Sequence, residues 1–290
     1  MSFANLKRSS GNLDKLSKAI EKLGSNESND SRDNYWKPEV DKVGNGMATF
    51  RFLPTPSVDG DDGLPWVKIY SHGFQGPGGW LIDNCLTTKN QQCPVCEHNS
   101  TLWNSGIEAN KEIARRQKRR LNYVSNIYMI DDPKHPENNG KVFLFRFGKK
   151  IFEKITEAMN PAFSDEVAIN PYDLWSGANF KLKIRKVEGY QNYDKSEFES
   201  ASPLLNDDDA MEKIWLSEYS LLELIGDKEF KAYDDIKSRL DKVLGLGGTV
   251  RTTVEQAKVA PKAPVIDESH EEEDEGEFDM KYFESLVDGD

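Results

Sequence analysis

The residues best suited to chemistry lie close together. His72, Cys85, Cys93 and Cys96 follow the pattern His-x12-Cys-x7-Cys-x2-Cys and include all three cysteines of the chain. An odd, clustered set of thiols suits a metal better than a disulfide framework. Cys93-Pro94-Val95-Cys96 is a tight turn that aims two thiolates at one ion, and borderline-soft Zn²⁺ takes thiolate and imidazole in a tetrahedron. Four protein ligands close the shell and leave no position for a reactive water, so the expected cofactor is one structural zinc. On spacing alone His98 competes with His72 for the fourth position. A deaminase-type zinc requires His-x-Glu with Pro-Cys-x-x-Cys. Here Gly73 and Phe74 follow His72, and the proline lies inside the cysteine pair. A Gly-x4-Gly-Lys-Ser/Thr phosphate loop is also missing from the sequence. The chain is therefore not expected to be an enzyme.

A second group of residues is basic and aromatic. Lys111, Arg115, Arg116, Lys118, Arg119 and Arg120 crowd one segment, followed by Arg146, Lys149 and Lys150 and then by Lys181, Lys183, Arg185 and Lys186. Trp103, Tyr123, Tyr128, Phe143, Phe145, Phe147, Tyr190 and Tyr193 interleave with them. A channel for single-stranded nucleic acid needs this mixture, because cations follow the phosphates and ring faces stack on unpaired bases. A solvated helix face above core aromatics would read the same way. Alternation also puts Phe143, Phe145 and Phe147 on one face, so they cannot all be both core and platform.

The net charge of −12 does not oppose this reading. Residues 267–290 hold twelve acids and one lysine, which accounts for −11 and leaves the first 266 residues near neutral. Local basic clusters can dominate such a body.

The elements that must position these groups are short. Strands are expected over 47–53, 66–70, 80–82, 122–130, 142–147 and 180–187, where β-branched and aromatic residues are bounded by Gly, Pro, Asn or Asp. Helices are expected over 107–120, 151–159, 211–225 and 230–244. Many short strands with a few helices suit an α+β chain built on an OB-type β-barrel with insertions. At the N-terminus, Lys7, Arg8, Ser9 and Ser10 form a basic, hydroxyl-rich arm. Leu13, Leu16, Ile20 and Leu23 then recur at helical spacing, a stripe too short to make its own core. From residue 247 a Gly, Thr, Lys, Ala and Pro-rich stretch leads to an acidic end carrying Phe278, Tyr282, Phe283 and Leu286, which reads as a disordered tail with a short binding motif. No apolar run approaches the ~18 residues of a membrane span, and the N-terminus lacks a signal-type apolar region. A soluble, cytosolic protein with no membrane partner is expected.

The motifs together resemble a known family. Gly44-Asn45-Gly46, Arg51-Phe52-Leu53-Pro54, His72-Gly73-Phe74, Cys93-Pro94-Val95-Cys96, Asp132-Pro133, Pro136-Glu137-Asn138, Gly140-Lys141-Val142-Phe143, Arg146-Phe147-Gly148-Lys149-Lys150, Asn179-Phe180 and Asn192-Tyr193-Asp194 are similar to those of the single-stranded DNA-binding, helix-destabilising proteins of T-even-type phages. The resemblance spans nearly the whole length. It implies a basic arm and helix (1–24) that contact a neighbouring protomer through Lys7, Arg8, Ser9 and Ser10, a linker (25–34), and an OB-fold core (35–246) with a zinc subdomain near 72–96. It further implies an acidic segment (247–290) that contacts replication, recombination and repair proteins. The family's zinc ligands fall on His72, Cys85, Cys93 and Cys96. Its strand-binding aromatics fall on Trp103, Tyr123, Phe145, Tyr190 and Tyr193, beside the cations Lys111, Arg115, Arg116, Lys118, Arg119, Arg120, Arg146, Lys149 and Lys183. The implied activity is cooperative, largely sequence-independent coating of single-stranded DNA, with single-stranded RNA as a chemically similar ligand, in the cytoplasm of an infected bacterium. The hydroxyls of the family's internal arm-like motif are missing from Lys118-Arg119-Arg120-Leu121-Asn122.

Overall fold

The structure is a computed structural model describing residues 34–163 and 165–246, so the N-terminal arm and the acidic tail lie outside the described residues. The longest strand, β5 (Arg120–Asp131), organises the sheet. One edge pairs antiparallel with β6 (Val142–Phe147) from Tyr123 to Tyr128. The opposite edge is shared by β3 (Val67–Gly76), paired to Arg120–Val124, and β2 (Gly46–Phe52), paired to Ile127–Asp131. The register shift between Thr49 and Phe50 leaves Ile130 as an extra residue, which bends β5 and strengthens its twist. β4 (Gly79–Asn84) pairs with β3, and β7 (Phe180–Val187) with the free edge of β2. The short strands β8 (Tyr190–Asn192) and β9 (Glu197–Phe198) then pair with β7. The remaining short strand, β1 (Tyr35–Trp36), carries the buried Trp36.

Alternation sends Phe50, Phe52, Tyr123, Ile127, Met129, Phe145, Phe147, Phe180 and Leu182 into one core with Trp36. Some of its rings meet edge to face, as in Phe50–Phe145 at 5.1 Å between centres and Phe52–Phe147 at 5.6 Å. Such pairs add about 0.5–1.5 kcal/mol beyond their buried area. Arg51 is fully buried beside them. It donates to Asn179 Oδ1 (3.0 Å), the Asp173 carbonyl (3.1 Å) and the Ser202 carbonyl (2.9 Å), so one side chain gathers three loop segments onto β2.

Five α-helices occur among the described residues: α1 (Pro94–Asn104), α2 (Glu108–Gln117), α3 (Lys149–Met159), α4 (Asp208–Leu216) and α5 (Tyr233–Leu244). β6 and β7 have the expected bounds, whereas α1 was not foreseen. Cys93-Pro94 read as a turn, but proline in the first turn starts a helix, because its missing N–H would be unpaired there anyway. The helix expected over 211–225 stops at Leu216. Tertiary bonds take its backbone instead. Asn126 brackets Tyr219 through both amide atoms, and Asp59 accepts from the N–H groups of Leu221 (2.7 Å) and Leu222 (3.2 Å).

α5 builds a second core. Ile236, Leu240 and Val243 pack on Phe74, Leu81, Leu86, Val95 and the thiols Cys85 and Cys93. Gly78 lets the β3–β4 hairpin slip beneath the end of α5, where its N–H bonds the Val243 carbonyl at 2.8 Å; a Cβ there would collide with the Lys242 carbonyl. Asp83, nearly buried, receives Lys231 at 2.6 Å and Arg239 at 3.2 Å. No helix among the described residues is long and apolar enough to cross a membrane.

Glu218 is buried and neither carboxylate oxygen has a hydrogen-bond partner. Desolvation first, and repulsion from Asp59 second, push its pKa up to about 9. The folded state keeps this proton from about pH 4.5 to about 9 while the unfolded chain releases it, so the group removes stability as pH rises through that window. Glu218→Gln should therefore raise the melting temperature at pH 8, leave it close to the parent below pH 4.5, and flatten the dependence between. Equal slopes for variant and parent in thermal melts across that range would reject this account.

Candidate metal centre and nucleic-acid interface

His72 comes from β3, Cys85 from the end of β4, Cys93 caps α1 and Cys96 lies in its first turn. Their ligand atoms all lie within 4.8 Å of one another. Cys85 Sγ is 3.5 Å from Cys96 Sγ, and His72 Nε2 is 3.5 Å from both Cys93 Sγ and Cys96 Sγ. A tetrahedron with metal–sulfur bonds of about 2.3 Å has edges near ~3.8 Å, so the four donors fit one ion. His98 is not in the cluster, which answers the ambiguity that spacing left open.

The protonation chemistry favours the same conclusion. Hydrogen bonds from Cys85 and Cys96 hold the Cys93 thiol far below its ordinary pKa, while those from Cys85 and Cys93 push Cys96 far above it. Burial lowers the His72 pKa, but hydrogen bonds with Cys85 and Cys93 outweigh it and raise the value to about 9. Three thiols and an imidazole at this density cannot all give up their protons unless a cation replaces them.

Groups outside the four ligands aim them. His72 Nδ1 donates to the Gln117 carbonyl at 3.2 Å, which fixes the tautomer and leaves Nε2 for the ion. Asn99 Nδ2 donates to the same carbonyl at 2.8 Å. The Thr87 hydroxyl lies 3.1 Å from Cys85 Sγ and also accepts from Arg119 Nη1 at 2.8 Å. Sequence reasoning missed all three. Gln117 acts through a backbone carbonyl, which no residue type betrays, and Thr87 is an ordinary hydroxyl until the fold places it.

The expected strand-binding residues divide by burial. Trp103 on α1 is 39% exposed, with Lys111 Nζ 5.8 Å and Arg115 Cζ 5.4 Å from its ring centre. Arg115 is paired with Glu108 (3.0 Å) and Glu112 (3.1 Å), and Arg116 with Glu112 (3.5 Å). Lys118 and Arg119 are exposed where α2 gives way to β5, and Arg120 is half-buried. Arg146 is half-buried on β6; Lys149 is exposed at the start of α3, 3.8 Å from Glu153. Lys183 bonds Glu197 at 2.6 Å. Tyr190 is 53% exposed, whereas Tyr193 is half-buried with its hydroxyl 3.1 Å from Gln191 Oε1. Two rings go to the core instead of the surface. Phe145 is 2% exposed, packed against Trp36, Phe50 and Phe147. Tyr123 is 8% exposed and stacked on Phe152, 3.9 Å away between centres. Alternation faces both toward the core of the sheet, so neither ring is presented as a platform in this structure. Lys7, Arg8, Ser9 and Ser10 lie outside the described residues.

The geometry has counterparts among known proteins. A family model described as gp32 DNA binding protein like matches residues 44–244. The chain is 37% identical over 238 residues to the single-stranded DNA-binding protein of Enterobacteria phage T2, covering 78% of this chain and 76% of the relative. It is 36% identical over 259 residues to the single-stranded DNA-binding protein of Enterobacteria phage T4, covering 84% and 83%. A shorter match, 40% identical over 65 residues, links it to the single-stranded DNA-binding protein of Escherichia phage SV14.

Because β3, the end of β4 and α1 bring the four donors together and α5 packs on them, a metal held there would contribute its binding free energy to the folding of this lobe. Cys93→Ser should lose the metal and lower the melting temperature, with the loss reproduced in the parent by chelation. Elemental analysis and thermal melts decide it: a fully loaded variant that melts like the parent would remove the centre from the account of stability.

Proposed function

The chain belongs to the gp32-like family of phage single-stranded DNA-binding proteins, and from that premise we propose that it coats unwound DNA cooperatively, with little sequence preference, during phage replication, recombination and repair. The observation that carries this reading is the exposed Trp103 ring bracketed by Lys111 and Arg115, beside the basic junction Lys118–Arg120. Rings stack bases and cations follow phosphates, and neither requires a particular base. The protein acts without catalysis, in the cytoplasm of the infected host, and binds single-stranded RNA by the same contacts. The ion is one structural zinc, supported by the Cys3His donor set. The sheet is an OB-type barrel, supported by the two-sided pairing of a long, bulged β5. The arm 1–24 bridges neighbouring protomers, 25–34 links it to the core 35–246, and the acidic segment 247–290 docks replication, recombination and repair proteins.

Titrating poly(dT) with protein at several salt concentrations tests the central reading. Affinity should fall with salt, by a log–log slope of about −0.7 for each phosphate neutralised. Trp103→Ala should weaken binding by about 1–3 kcal/mol while keeping the slope. Arg120→Ala should flatten the slope by about 0.7. Binding that is absent or indifferent to salt would defeat the proposal.

Cooperativity has its own test. A neighbour bound on the same strand presents its docking surface at high effective concentration. Deleting residues 1–24 should reduce affinity for long polymers far more than for an oligonucleotide that fits one protomer. Equal losses on the two substrates would reject the role of the arm.

A further inference from the structure

β3 carries a second site that the basic-plus-aromatic pattern did not single out. Its register sets Lys68 opposite Tyr123 and Tyr70 opposite Leu121 on β5, so alternation places Lys68 and Tyr70 on one face. Lys68 is exposed and Tyr70 half-buried. Tyr70 is anchored by its backbone, with Thr88 Oγ1 accepting from its N–H at 2.9 Å and the Cys85 N–H donating to its carbonyl at 2.8 Å. Arg119 lies over the ring, its guanidinium carbon 4.3 Å from the centre, and Lys68 Nζ is 5.0 Å from the same centre. The far end of Arg119 is tied to Thr87 Oγ1 at 2.8 Å. Thus an exposed guanidinium is held at two points, by a ring and by a hydroxyl that also touches the metal ligand Cys85.

We propose that Lys68, Tyr70 and Arg119 form a nucleotide subsite for single-stranded nucleic acid, in which a base stacks on the Tyr70–Arg119 pair and Lys68 neutralises an adjoining phosphate. The inference rests on the strand-binding function proposed above and extends it to two residues of β3. A planar guanidinium stacked on a ring offers an unpaired base a platform of the kind aromatic side chains give, without base preference. A lone ammonium beside it meets the phosphate as a point charge. Ordering is already complete before the strand arrives: Arg119 gives up little side-chain freedom on binding, because Tyr70 and Thr87 have already restricted it. The buried Tyr123 directly across the sheet cannot serve this purpose, and Tyr70 is the ring that the same face leaves accessible.

The test uses the full chain with its metal bound. Tyr70→Val, Tyr70→Phe and Lys68→Gln are matched to the parent for metal content and melting, then titrated with poly(dT) at several salt concentrations by intrinsic fluorescence. Tyr70→Val should bind about 5- to 30-fold more weakly at every salt with the slope kept, and Tyr70→Phe, which retains the ring, should bind like the parent. Lys68→Gln should flatten the log–log slope by about 0.7. If Tyr70→Val does not fold, the Lys68→Gln slope and the Tyr70→Phe affinity decide alone. Tyr70→Val that matches the parent in affinity, Lys68→Gln that matches it in slope, or Val and Phe variants weakened equally overturn the subsite, while the parent's own binding leaves the wider function standing. A parent that fails to bind poly(dT) overturns both.

Discussion

Four deprotonatable donors within 4.8 Å of one another are the constraint from which the metal lobe follows. Left to themselves they compete for protons, because three thiols and an imidazole share one largely buried volume. With a divalent cation the conflict becomes attraction, and three separate pieces of chain acquire a common centre. The lobe is also held by its own apolar cluster and by the ion pairs of Asp83 with Lys231 and Arg239. Its apolar cluster is small, and three of its members come from α5, more than a hundred residues further along the chain. The same centre reaches the basic surface, because residues 117 and 119 supply groups around two of the ligands: the Gln117 carbonyl under His72, and Arg119 on the Thr87 hydroxyl beside Cys85. A loosened metal site would therefore also loosen the junction from which the exposed cations project.

The sheet poses the opposite problem, since it is rich in rings and only some of them can serve cohesion. Strand geometry makes the choice. Residues alternate across the sheet, so Phe145 and Phe147 on β6 and Tyr123 on β5 enter the core together. Rings that reach the surface sit on a helix, beside a hairpin turn or where a strand changes partners. Trp103 does so on α1, Tyr190 at the start of β8, and Tyr70 on β3 where its pairing passes from β5 to β4.

These facts mark what could be read from residues alone. Period-two patterning gave β6 and β7 with their final bounds, and cysteine spacing gave three members of the donor cluster without help. Spacing alone left the fourth open between His72 and His98, the family resemblance pointed to His72, and the fold brings His72 into the cluster. Burial of Phe145 against exposure of Trp103 was equally invisible, since both sit among cations in the sequence. The truncated α4 shows the general limit: residues 217–225 have helical periodicity, but Asn126 and Asp59, far away in sequence, claim their backbone groups. Tertiary hydrogen bonds of that kind leave no periodic trace.

Charge follows the same logic of prior commitment. Lys181, Lys183 and Arg185 alternate along one face of β7, yet each is met by an acid: Glu199 at 2.7 Å, Glu197 at 2.6 Å and Asp194 at 2.6 Å. A phosphate arriving there must replace a carboxylate, exchanging one anion for another, so the net electrostatic gain is small and fewer counterions are released than the count of cations suggests. Arg119 differs, because a hydroxyl and a ring hold it in place and a phosphate can join without breaking an ion pair. Exposed cations on this surface are thus unequal, and the strand should draw most of its electrostatic affinity from the α2–β5 junction, with β7 contributing chiefly where its acids are turned away.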